Sequence, residues 1–316
     1  MLRFVLARLS GLVIVMFLVA TIVFVISRVI PGDPAAVMLG AAATAEDAAR
    51  LKAQLGLDAP LLQQYIRWIA QLLQFDLGQS IFLGQSVNAA LSERAELTVA
   101  LASLGLAMAL ATGIPVGIAV AVWRGTLVDR MLNSTALLAA SLPVFWIGLI
   151  LIRYPAAKFG WFPVSGYGAP DASWREKLHH LVLPAVALAL PNAVLLLRTT
   201  RTSMLDVLSA DYVRTARAKG LSPWTIVMKH ALLNAIVPIL TVSGVAAAYM
   251  VGSTTVTETV FGLPGIGNLV VSAVLRRDYP VIQGTLVVIS GIYVILNFFI
   301  DMLYLAVDPR IRAGAR

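Results

Sequence analysis

Residues 200–234 read TRTSMLDVLSADYVRTARAKGLSPWTIVMKHALLN, and the organisation of the whole chain can be worked out from this stretch. It is basic and amphipathic, and it separates two long hydrophobic segments. Basic segments of this kind are typical of loops on the cytoplasmic face of membrane proteins. The pattern therefore indicates a multi-span membrane protein with a structured cytoplasmic loop.

The composition agrees with a membrane protein. The chain has 316 residues, of which 59% are hydrophobic and 13% are charged, and its mean hydropathy is +0.86. A water-soluble domain cannot bury so much apolar surface, so lipid must cover part of it. The chain has no cysteine, which excludes disulfides, thiolate metal sites and a cysteine nucleophile. Membrane orientation explains the pI near 10, so no nucleic-acid partner is expected.

Six charge-poor windows are long enough to cross a bilayer as helices, which takes about 20 apolar residues. They are Leu9–Ser27, Leu97–Trp123, Met131–Ile152, Leu178–Leu197, His230–Thr257 and Tyr279–Ile300. The first window is predicted to be a retained span rather than a signal peptide, because no small-residue cleavage site follows it. A seventh window, Thr259–Leu275, contains FGLPGIG and is predicted to be a re-entrant or outer-face loop. The predicted fold class is an all-α integral membrane protein with six transmembrane helices.

Six spans place both termini on one side of the membrane, and the charge distribution favours the cytoplasm for that side. With this topology, 13 of the 24 Lys and Arg residues and 5 of the 16 acidic residues lie on the cytoplasmic side. The net positive charge then lies inside. Three parts are predicted along the chain: 1–30 as the N-terminal tail and first span, 31–94 as an external loop, and 95–316 as a five-helix core that includes the cytoplasmic loop 198–234.

Two amphipathic helices are predicted in the external loop. AEDAARLKAQLG, which starts at Ala45, has acidic residues in its first turn and is expected to end at Gly56. LLQQYIRWIAQLLQ follows Pro60, and its apolar residues share one helical face. They are Leu61, Tyr65, Ile69 and Leu72, with Leu62, Ile66 and Leu73 widening the face. Such a helix can lie along the membrane surface, and two roles are open: packing against the spans, or a platform for an external partner.

Motifs for catalysis or nucleotide binding are missing from the sequence. It contains no GxxxxGK[ST], HExxH or GxSxG. Adjacent His179 and His180 point about 100° apart on a helix, which favours interface histidines over a metal pair. Ionisable residues are almost absent from the window centres, which argues against a proton- or sodium-driven carrier. Asp301, at a window edge, is expected to pair within the helix bundle near the cytoplasmic boundary.

The cytoplasmic loop contains the clearest candidate site. In DYVRTARAKGL, Ala216 and Gly220 are four residues apart and share a helical face, and small residues permit close approach of another surface. Basic residues point in the other directions: Arg214, Arg217 and Lys219. Gly220 is predicted to end the helix, and Ser222–Pro223 to begin the next one. Spacing alone leaves two interpretations open: a helix that docks into a cleft of a soluble partner, or a solvated basic helix that binds anionic lipid.

RTARAKGL at 214–221, followed by HALLNAIVPIL at 230–240, resembles the cytoplasmic coupling loop of binding-protein-dependent ABC permeases. It most resembles the dipeptide, oligopeptide and nickel branch, in which the EAA---G motif of the wider family takes an RTA---G form. Arg214 thus departs from the wider family and not from this branch. Arg153 and Pro155 interrupt a region that is usually more apolar.

The resemblance extends over nearly the whole chain as short motifs in a fixed order. They are PGDP at 31–34, LGLDAP at 55–60, QYIRW at 64–68, DLGQS at 76–80, LPVF at 142–145, GWFPVSG at 160–166, LVLPA at 181–185, ETVFGLPGIG at 258–267, RDYP at 277–280 and DPRIR at 308–312. Each motif is weak alone, and their order and spacing together are specific.

The resemblance implies a six-span type I ABC importer permease fold in the bacterial inner membrane. The implied partners are a second homologous permease, two cytoplasmic ATPases, an external solute-binding protein and membrane lipid. Because the ATPases hydrolyse ATP, the chain itself is expected to need no cofactor and not to be an enzyme. The expected ATPase-coupling residues are Asp211, Tyr212, Arg214, Thr215, Ala216, Arg217, Ala218, Lys219 and Gly220. A stand-alone secondary carrier or channel is the alternative.

Alternating access driven by the partner ATPases is the expected mechanism. Thr254 and Thr257 lie near one face of the fifth span and are interpreted either as pathway lining or as hydrogen-bonding groups between helices. Glu258 follows them, and it either braces the GLPGIG loop or makes a gating contact. The resemblance leaves the substrate open among dipeptides, longer peptides, glutathione, nickel chelates and sugars.

Overall fold

The computed structural model of the chain describes residues 2–29, 44–54, 58–169 and 171–307. Three features of the sequence analysis fall outside these ranges: the PGDP motif at 31–34, the predicted helix end at Gly56 and the DPRIR motif at 308–312. The described part is built from helices, together with an isolated bridge between Gln79 and Ser86. The all-α fold class is therefore confirmed.

The described part of the chain contains eleven α-helices of at least eight residues. They are α1 (Leu2–Val29), α2 (Ala45–Gln54), α3 (Leu61–Leu73), α4 (Val87–Val122), α5 (Leu127–Ala140), α6 (Val144–Leu151), α7 (Trp174–Leu208), α8 (Asp211–Ala218), α9 (Leu233–Phe261), α10 (Ile266–Arg276) and α11 (Tyr279–Val307). A π-helical segment, Ile152–Lys158, continues α6. The turn Pro223–Thr225 and a second π-helical segment, Ile226–Leu232, lead into α9.

Five helices in the described ranges are long and apolar enough to cross a membrane. They are Arg8–Val29, Val87–Val122, Trp174–Leu208, Pro223–Phe261 and Tyr279–Leu303. The sequence predicted a further continuous span over Met131–Ile152, and the structure instead has Leu127–Ala140 and Val144–Lys158 at 101° to each other. The break falls at Pro143, because proline lacks an N–H donor and disfavours helical backbone in the residue before it. Counted as one broken span, this pair completes the predicted six.

The seventh hydrophobic window contains the predicted break and also a helix. Helix α9 ends at Gly262, which has a φ of 60°. That left-handed conformation is the usual role of glycine after a helix C-terminus. After Leu263–Gly265 the chain becomes helical again as α10, which has 11 residues and is too short to cross a bilayer. The window therefore contains the end of one helix, the predicted break and a second, short helix, and its re-entrant or outer-face position stays a prediction.

The most extensive interface in the core joins α4 and α7, and it depends on small residues. Every fourth residue on this face of α4 is small and buried: Gly105, Ala109, Gly113 and Gly117. A Cβ atom on Gly113 would lie 2.6 Å from the carbonyl oxygen of Ala193, and one on Gly117 would lie 2.7 Å from that of Leu197. Only glycine permits such close approach of two helix backbones.

Helix α1 packs along α11 at the edge of the bundle, while α9 contacts α7, α11, α10 and α4. Near the start of α1, Arg8 Nε lies 3.2 Å from Asp301 Oδ2 on α11. This contact confirms that Asp301 pairs within the bundle. It also places the start of α1 and the end of α11 at the same membrane face. The two side chains are 51% and 23% exposed, so the pair contributes little to stability.

The segment between α3 and α4 is fixed to the start of α11 through two of the short motifs. Asp278, in RDYP, is 2% exposed and accepts a hydrogen bond of 2.6 Å from the hydroxyl of Ser80, in DLGQS. The backbone N–H groups of Ile81 and Phe82 also donate to this carboxylate, at 3.2 and 3.3 Å. Because a buried carboxylate needs such donors, the contact holds the segment before α4 against the start of α11.

Candidate functional site

Helix α8, which contains the predicted coupling residues, is seated on the rest of the chain by its small apolar side chains. Val213 is fully buried and Ala216 is 6% exposed, and both pack with Ile226. Val207 and Leu208, at the end of α7, complete this cluster. Since α7 precedes α8 and Ile226 leads into α9, α8 is held between two membrane-spanning helices.

The outward surface of α8 is formed by polar and basic residues. The side chains of Asp211 and Arg214 are 95% and 74% exposed and form a surface ion pair at 3.4 Å. Tyr212 is 46% exposed. The other exposed residues of the predicted set are Thr215, Arg217, Ala218, Lys219 and Gly220. Ala216 does not share this surface: the sequence placed it on an outward face with Gly220, whereas the structure turns it inward onto Val213.

The end of α8 follows the predicted chemistry. Gly220 has a φ of +78°, and its N–H donates to the carbonyl of Arg217, while the N–H of Leu221 reaches back to Ala216. A non-glycine residue would be strained in this conformation. Ser222 then caps the next helical turn by accepting from the N–H of Thr225, and Pro223 occupies the first helical position.

A partly buried ion pair joins the start of α5 to the last part of α7. Arg201, on α7, donates from Nε to Asp129 Oδ1 and from a terminal nitrogen to Asp129 Oδ2, both at 3.2 Å. Asp129, at the start of α5, also accepts from the N–H of Gly125 at 2.9 Å and from the Asn133 amide. The carboxylate thus accepts four hydrogen bonds, and the two from Arg201 join α5 to α7. Sequence reasoning missed the pair, because 72 residues separate its members and no spacing rule links them.

Thr254 and Thr257 lie inside the chain, each 1% exposed. The Thr254 hydroxyl donates to the carbonyl of Val251 at 2.9 Å, and that of Thr257 donates to Ser253 at 3.4 Å. Both bonds stay within α9. The hydroxyls therefore do not bridge helices in this structure, and they face the packed interior rather than an open surface.

Glu258 is completely buried and joins three helices. Its Oε1 accepts from the hydroxyl of Thr98, on α4, at 2.7 Å. Its Oε2 accepts from the backbone N–H of Asn268, in the first turn of α10, at 3.0 Å. The Thr98 oxygen in turn accepts from the N–H of Ile266 at 2.9 Å. A carboxylate at a helix N-terminus is favourably placed, because free N–H groups and the helix dipole both stabilise negative charge.

Two glycines make room for this carboxylate. A Cβ atom on Gly265 would collide with the Glu258 carboxyl group, and one on Gly267 would collide with the backbone of Thr255 and with Glu258. The FGLPGIG segment thus needs glycine at these two positions because Glu258 and Thr255 approach its backbone closely. Glu258 acts as a brace for this segment, which was one of the two sequence interpretations.

The surface that α9 leaves uncovered is a different stripe of residues. Positions spaced as on one helical face are exposed: Thr241, Val245, Tyr249, Gly252, Val256 and Thr259. Beside Tyr249, a largely apolar groove of about 560 Å³ runs between α1, α9 and α11. Sequence reasoning chose the buried threonines of α9 instead, although the period of this stripe was visible in the sequence.

A recess of about 560 Å³ opens beside the FGLPGIG segment, with Gly262 and Pro264 in its wall. Its polar groups are Glu93, Glu96, Lys177 and Tyr167. Lys177 Nζ lies 3.1 Å from Glu96 Oε1, and the Tyr167 hydroxyl lies 3.4 Å from the same oxygen. Burial, and then the Glu96 carboxylate, raise the pKa of Tyr167, so its hydroxyl stays protonated as a donor. The recess therefore presents both signs of charge.

The two adjacent histidines bind the loop before α7. His179 Nε2 lies 3.0 Å from the carbonyl oxygen of Trp161, and His180 Nδ1 lies 3.0 Å from that of Gly166. The two rings thus contact different carbonyl groups, which agrees with interface histidines. Across the described residues, no group of three or more His, Asp or Glu side chains is arranged to hold a metal ion.

Family models match both parts of the chain. The model for the binding-protein-dependent transport system inner membrane component matches residues 113–313, which include α8 and the Glu258 brace. The model for the N-terminal part of such membrane components matches residues 1–102. Together they cover most of the chain.

Several relatives are similar over the full length. A probable peptide ABC transporter permease, y4tP of Sinorhizobium fredii, is 45% identical over 98% of this chain and 99% of its own. A putative peptide transport system permease of Brucella abortus is 40% identical over 98% of both chains. The glutathione transport system permease GsiC of Salmonella typhimurium is 39% identical over 99% of both.

A solved structure shows the same fold. The MetNI methionine ABC transporter, in an inward-facing conformation, contains a chain that aligns with a TM-score of 0.57 at 19% identity. The alignment covers 69% of this chain and 95% of that one. The chain described here therefore belongs to the family of binding-protein-dependent transport system inner membrane components, and it is a multi-pass permease subunit of an ABC importer rather than an enzyme.

Proposed function

We propose that the chain forms one half of an ATP-driven import pathway for peptides. The observation that carries this proposal is the similarity, over at least 98% of each chain, to proteins described as peptide and glutathione permeases. These substrates have a peptide backbone and charges of both signs. The recess beside FGLPGIG suits such molecules, because the carboxylates of Glu93 and Glu96 and the ammonium group of Lys177 provide partners for both charges.

Membership of this family implies a solute-binding protein and an ATPase as partners. We infer that the assembly contains a second, homologous permease and two ATPase subunits in the cytoplasm. The exposed stripe of α9 supports the second permease, since the described part of this chain leaves it uncovered. This stripe, with Thr241, Tyr249 and Thr259, is the surface that we assign to the pathway. Thr254 and Thr257 are assigned to the packing of α9.

The outward surface of α8 is the proposed ATPase-docking surface. It comprises Asp211, Tyr212, Arg214, Thr215, Arg217, Ala218, Lys219 and Gly220, while Ala216 fixes the helix from behind. Because Val213 and Ala216 pack on the end of α7 and on Ile226, a displacement of α8 is passed to α7 and α9 together. ATP binding and hydrolysis in the partners would thus bias the spans between two arrangements.

Glu258 is the proposed gate element at the other end of α9. Its hydrogen bonds hold α10 against α4, so that any separation of these helices must first break contacts to Thr98 and Asn268. The same carboxylate thus serves as both the brace and the proposed gate.

We also propose the division of the chain into residues 1–30, 31–94 and 95–316, with the coupling loop at 198–234.

Reconstitution tests the energy source and the substrate together. The permease pair, its ATPases and its binding protein are placed in proteoliposomes, and uptake of a labelled dipeptide is measured. We expect uptake to stop when ATP is removed and to persist when ionophores collapse ion gradients. Competition should come from unlabelled peptides and not from a sugar or a nickel chelate. Gradient-driven uptake without ATP would contradict the proposal and would favour a stand-alone carrier.

Membrane orientation is tested by cysteine labelling in the naturally cysteine-free chain. We propose cytoplasmic termini and a cytoplasmic α8. Lys219→Cys, on the α8 surface, should react with an impermeant maleimide only in inverted vesicles. Asp171→Cys, in the exposed segment before α7, should react in intact spheroplasts. The opposite pattern would invert the topology.

A further inference from the structure

Helix α3 has three distinct faces, and one of them is an apolar stripe that the described residues leave largely uncovered. Leu62, Ile66 and Leu73 are 68%, 59% and 77% exposed, and Ile69, which is partly buried, continues the same line at helical spacing. About 120° away, a polar face is equally exposed and comprises Gln63, Arg67 and Gln71. The helix is thus amphipathic on its uncovered side, independently of what it packs against.

The third face of α3 fixes the helix to one end of α1. The hydroxyl of Tyr65 lies 2.7 Å from that of Thr21, and the rings of Tyr65 and Trp68 pack on Phe24 at centroid distances of 5.3 and 5.6 Å. Arg28 Nε donates to the Gln64 amide oxygen at 2.9 Å.

These contacts locate α3 along the membrane normal. Thr21, Phe24 and Arg28 span two helical turns, or about 10 Å of the α1 axis. The apolar span of α1 ends just beyond them, at Val29. Helix α3 therefore lies at the level where α1 leaves the hydrocarbon region.

The stripe continues a surface that faces lipid. On the same two turns of α1, Ile22, Val25, Ile26 and Val29 are 55%, 49%, 51% and 73% exposed. Since α1 is a membrane span at the edge of the bundle, these side chains contact acyl chains. An aliphatic stripe beside them, with a polar face on the other flank, has the pattern of a helix that lies in the membrane interface.

We propose that α3 is a membrane-interface anchor, with Leu62, Ile66, Ile69 and Leu73 inserted into the leaflet that α1 reaches at Val29. The occupant of the stripe is lipid rather than the solute-binding protein. A protein that binds and leaves in each transport cycle would expose four aliphatic side chains to water whenever it left, and the stripe lacks the aromatic and arginine residues that concentrate at such interfaces. The anchor also holds the segment that leads to the Ser80–Asp278 contact at a fixed depth. This inference depends on α1 being a span and not on the proposed orientation or substrate.

The faces of α3 can be distinguished by single cysteines in the complete transporter in lipid nanodiscs. Leu62→Cys and Ile66→Cys report on the stripe, and Gln63→Cys and Gln71→Cys are matched controls on the polar face. Each is labelled with an environment-sensitive fluorophore. We expect blue-shifted emission and quenching by brominated acyl chains for the stripe, and red-shifted emission with quenching by aqueous iodide for the controls.

Two outcomes would overturn the proposal. Equal quenching of both sets by iodide would mean that the stripe is in water. Stripe labels that become shielded from iodide only after addition of the solute-binding protein would show that this protein, and not lipid, is the occupant. All four positions are exposed, so labelling leaves the contacts of Tyr65, Trp68 and Gln64 with α1 intact and the fold unperturbed.

Discussion

Asp129 and Arg201 form a two-bond ion pair, with both nitrogen–oxygen distances at 3.2 Å, where α5 begins and α7 approaches α8. The side chains are 8% and 27% exposed. α5 is the first arm of the broken span, and α7 leads directly into the proposed coupling helix. The pair therefore connects the helix that leads into the proposed coupling helix to the element that is bent by 101°.

Removal of the Arg201 side chain should weaken this connection. Arg201→Ala leaves a mostly buried carboxylate without its cation, and we expect a loss of about 1–3 kcal/mol of stability, limited by the partial exposure of Arg201. Arg201→Lys should lose less, because a lysine keeps the charge and gives up the two-bond geometry. Thermal unfolding in detergent measures the stability of the two variants relative to the parent. Transport per assembled complex, at equal ATP hydrolysis, should fall in the same order; equal effects of both substitutions would contradict a role for the forked geometry.

The contact between Thr98 and Glu258 should show strong coupling. Thr98→Val removes the hydroxyl that donates to Oε1 and accepts from Ile266, and Glu258→Gln replaces an acceptor beside Asn268 with an amide. Each change should cost about 1–3 kcal/mol, because a buried polar group loses its partner. The double variant should cost less than the sum, by about 0.5–3 kcal/mol. Chemical denaturation of the parent, the two single variants and the double variant gives the four free energies of this double-mutant cycle. Strictly additive changes would show that the two side chains act independently.

Glycines on α4 and α9 provide a matched pair for testing the helix contact. In Gly113→Ala the new methyl group meets the Ala193 carbonyl and Leu196, so α4 and α7 must separate. Overpacking of this kind costs about 1–3 kcal/mol. Gly252→Ala on α9 has open space around the added atom and should be neutral or slightly stabilising. A similar change in melting temperature for both variants would mean that α4 and α7 can move apart at Gly113 without loss of stability.

The hydrophobic windows predicted a membrane-spanning protein, because a helix that crosses a bilayer needs about 20 apolar residues in a row. Such a run can be read directly from a single sequence. The same signal missed the break at Pro143. Apolar residues continue on both sides of it, and hydropathy reports burial in lipid rather than helix direction. The seventh window shows the complementary case: its glycines predicted the interruption, while the helix that resumes at Ile266 depends on capping by Glu258 from another element.

In the proposed coupling loop, the features that depend on local backbone conformation were predictable from the sequence. The helix end at Gly220 and the cap at Ser222 follow from backbone conformations that single residues favour. The direction of Ala216 was not predictable, since a small residue serves equally well in close packing on its own chain or on a partner. The Asp129–Arg201 and Thr98–Glu258 contacts arise from tertiary structure, and only the fold brings their members together.

Substitutions on the two sides of α8 should separate seating from docking. Ala216→Leu adds a branched side chain between Val213 and Ile226, and we expect about 1–3 kcal/mol of destabilisation from overpacking, with poor assembly as a consequence. Gly220→Ala meets no atom within 4 Å but must adopt a φ of +78°, which costs about 1–2 kcal/mol and frays the helix end. Tyr212→Ala and Arg217→Ala remove exposed groups, so the stability of the isolated permease should stay within about 0.5 kcal/mol of the parent.

The decisive comparison is therefore between unfolding of the permease alone and recovery of ATPases with it at matched membrane levels. Tyr212→Ala and Arg217→Ala should reduce ATPase recovery and transport while the melting temperature is unchanged, because they alter the docking surface and not the contacts that seat α8. Lys229→Ala, outside α8 on the segment leading to α9, is the control for loss of a positive charge. Normal ATPase recovery with both surface variants, combined with weaker binding to anionic vesicles, would assign this helix to lipid and would refute the coupling role.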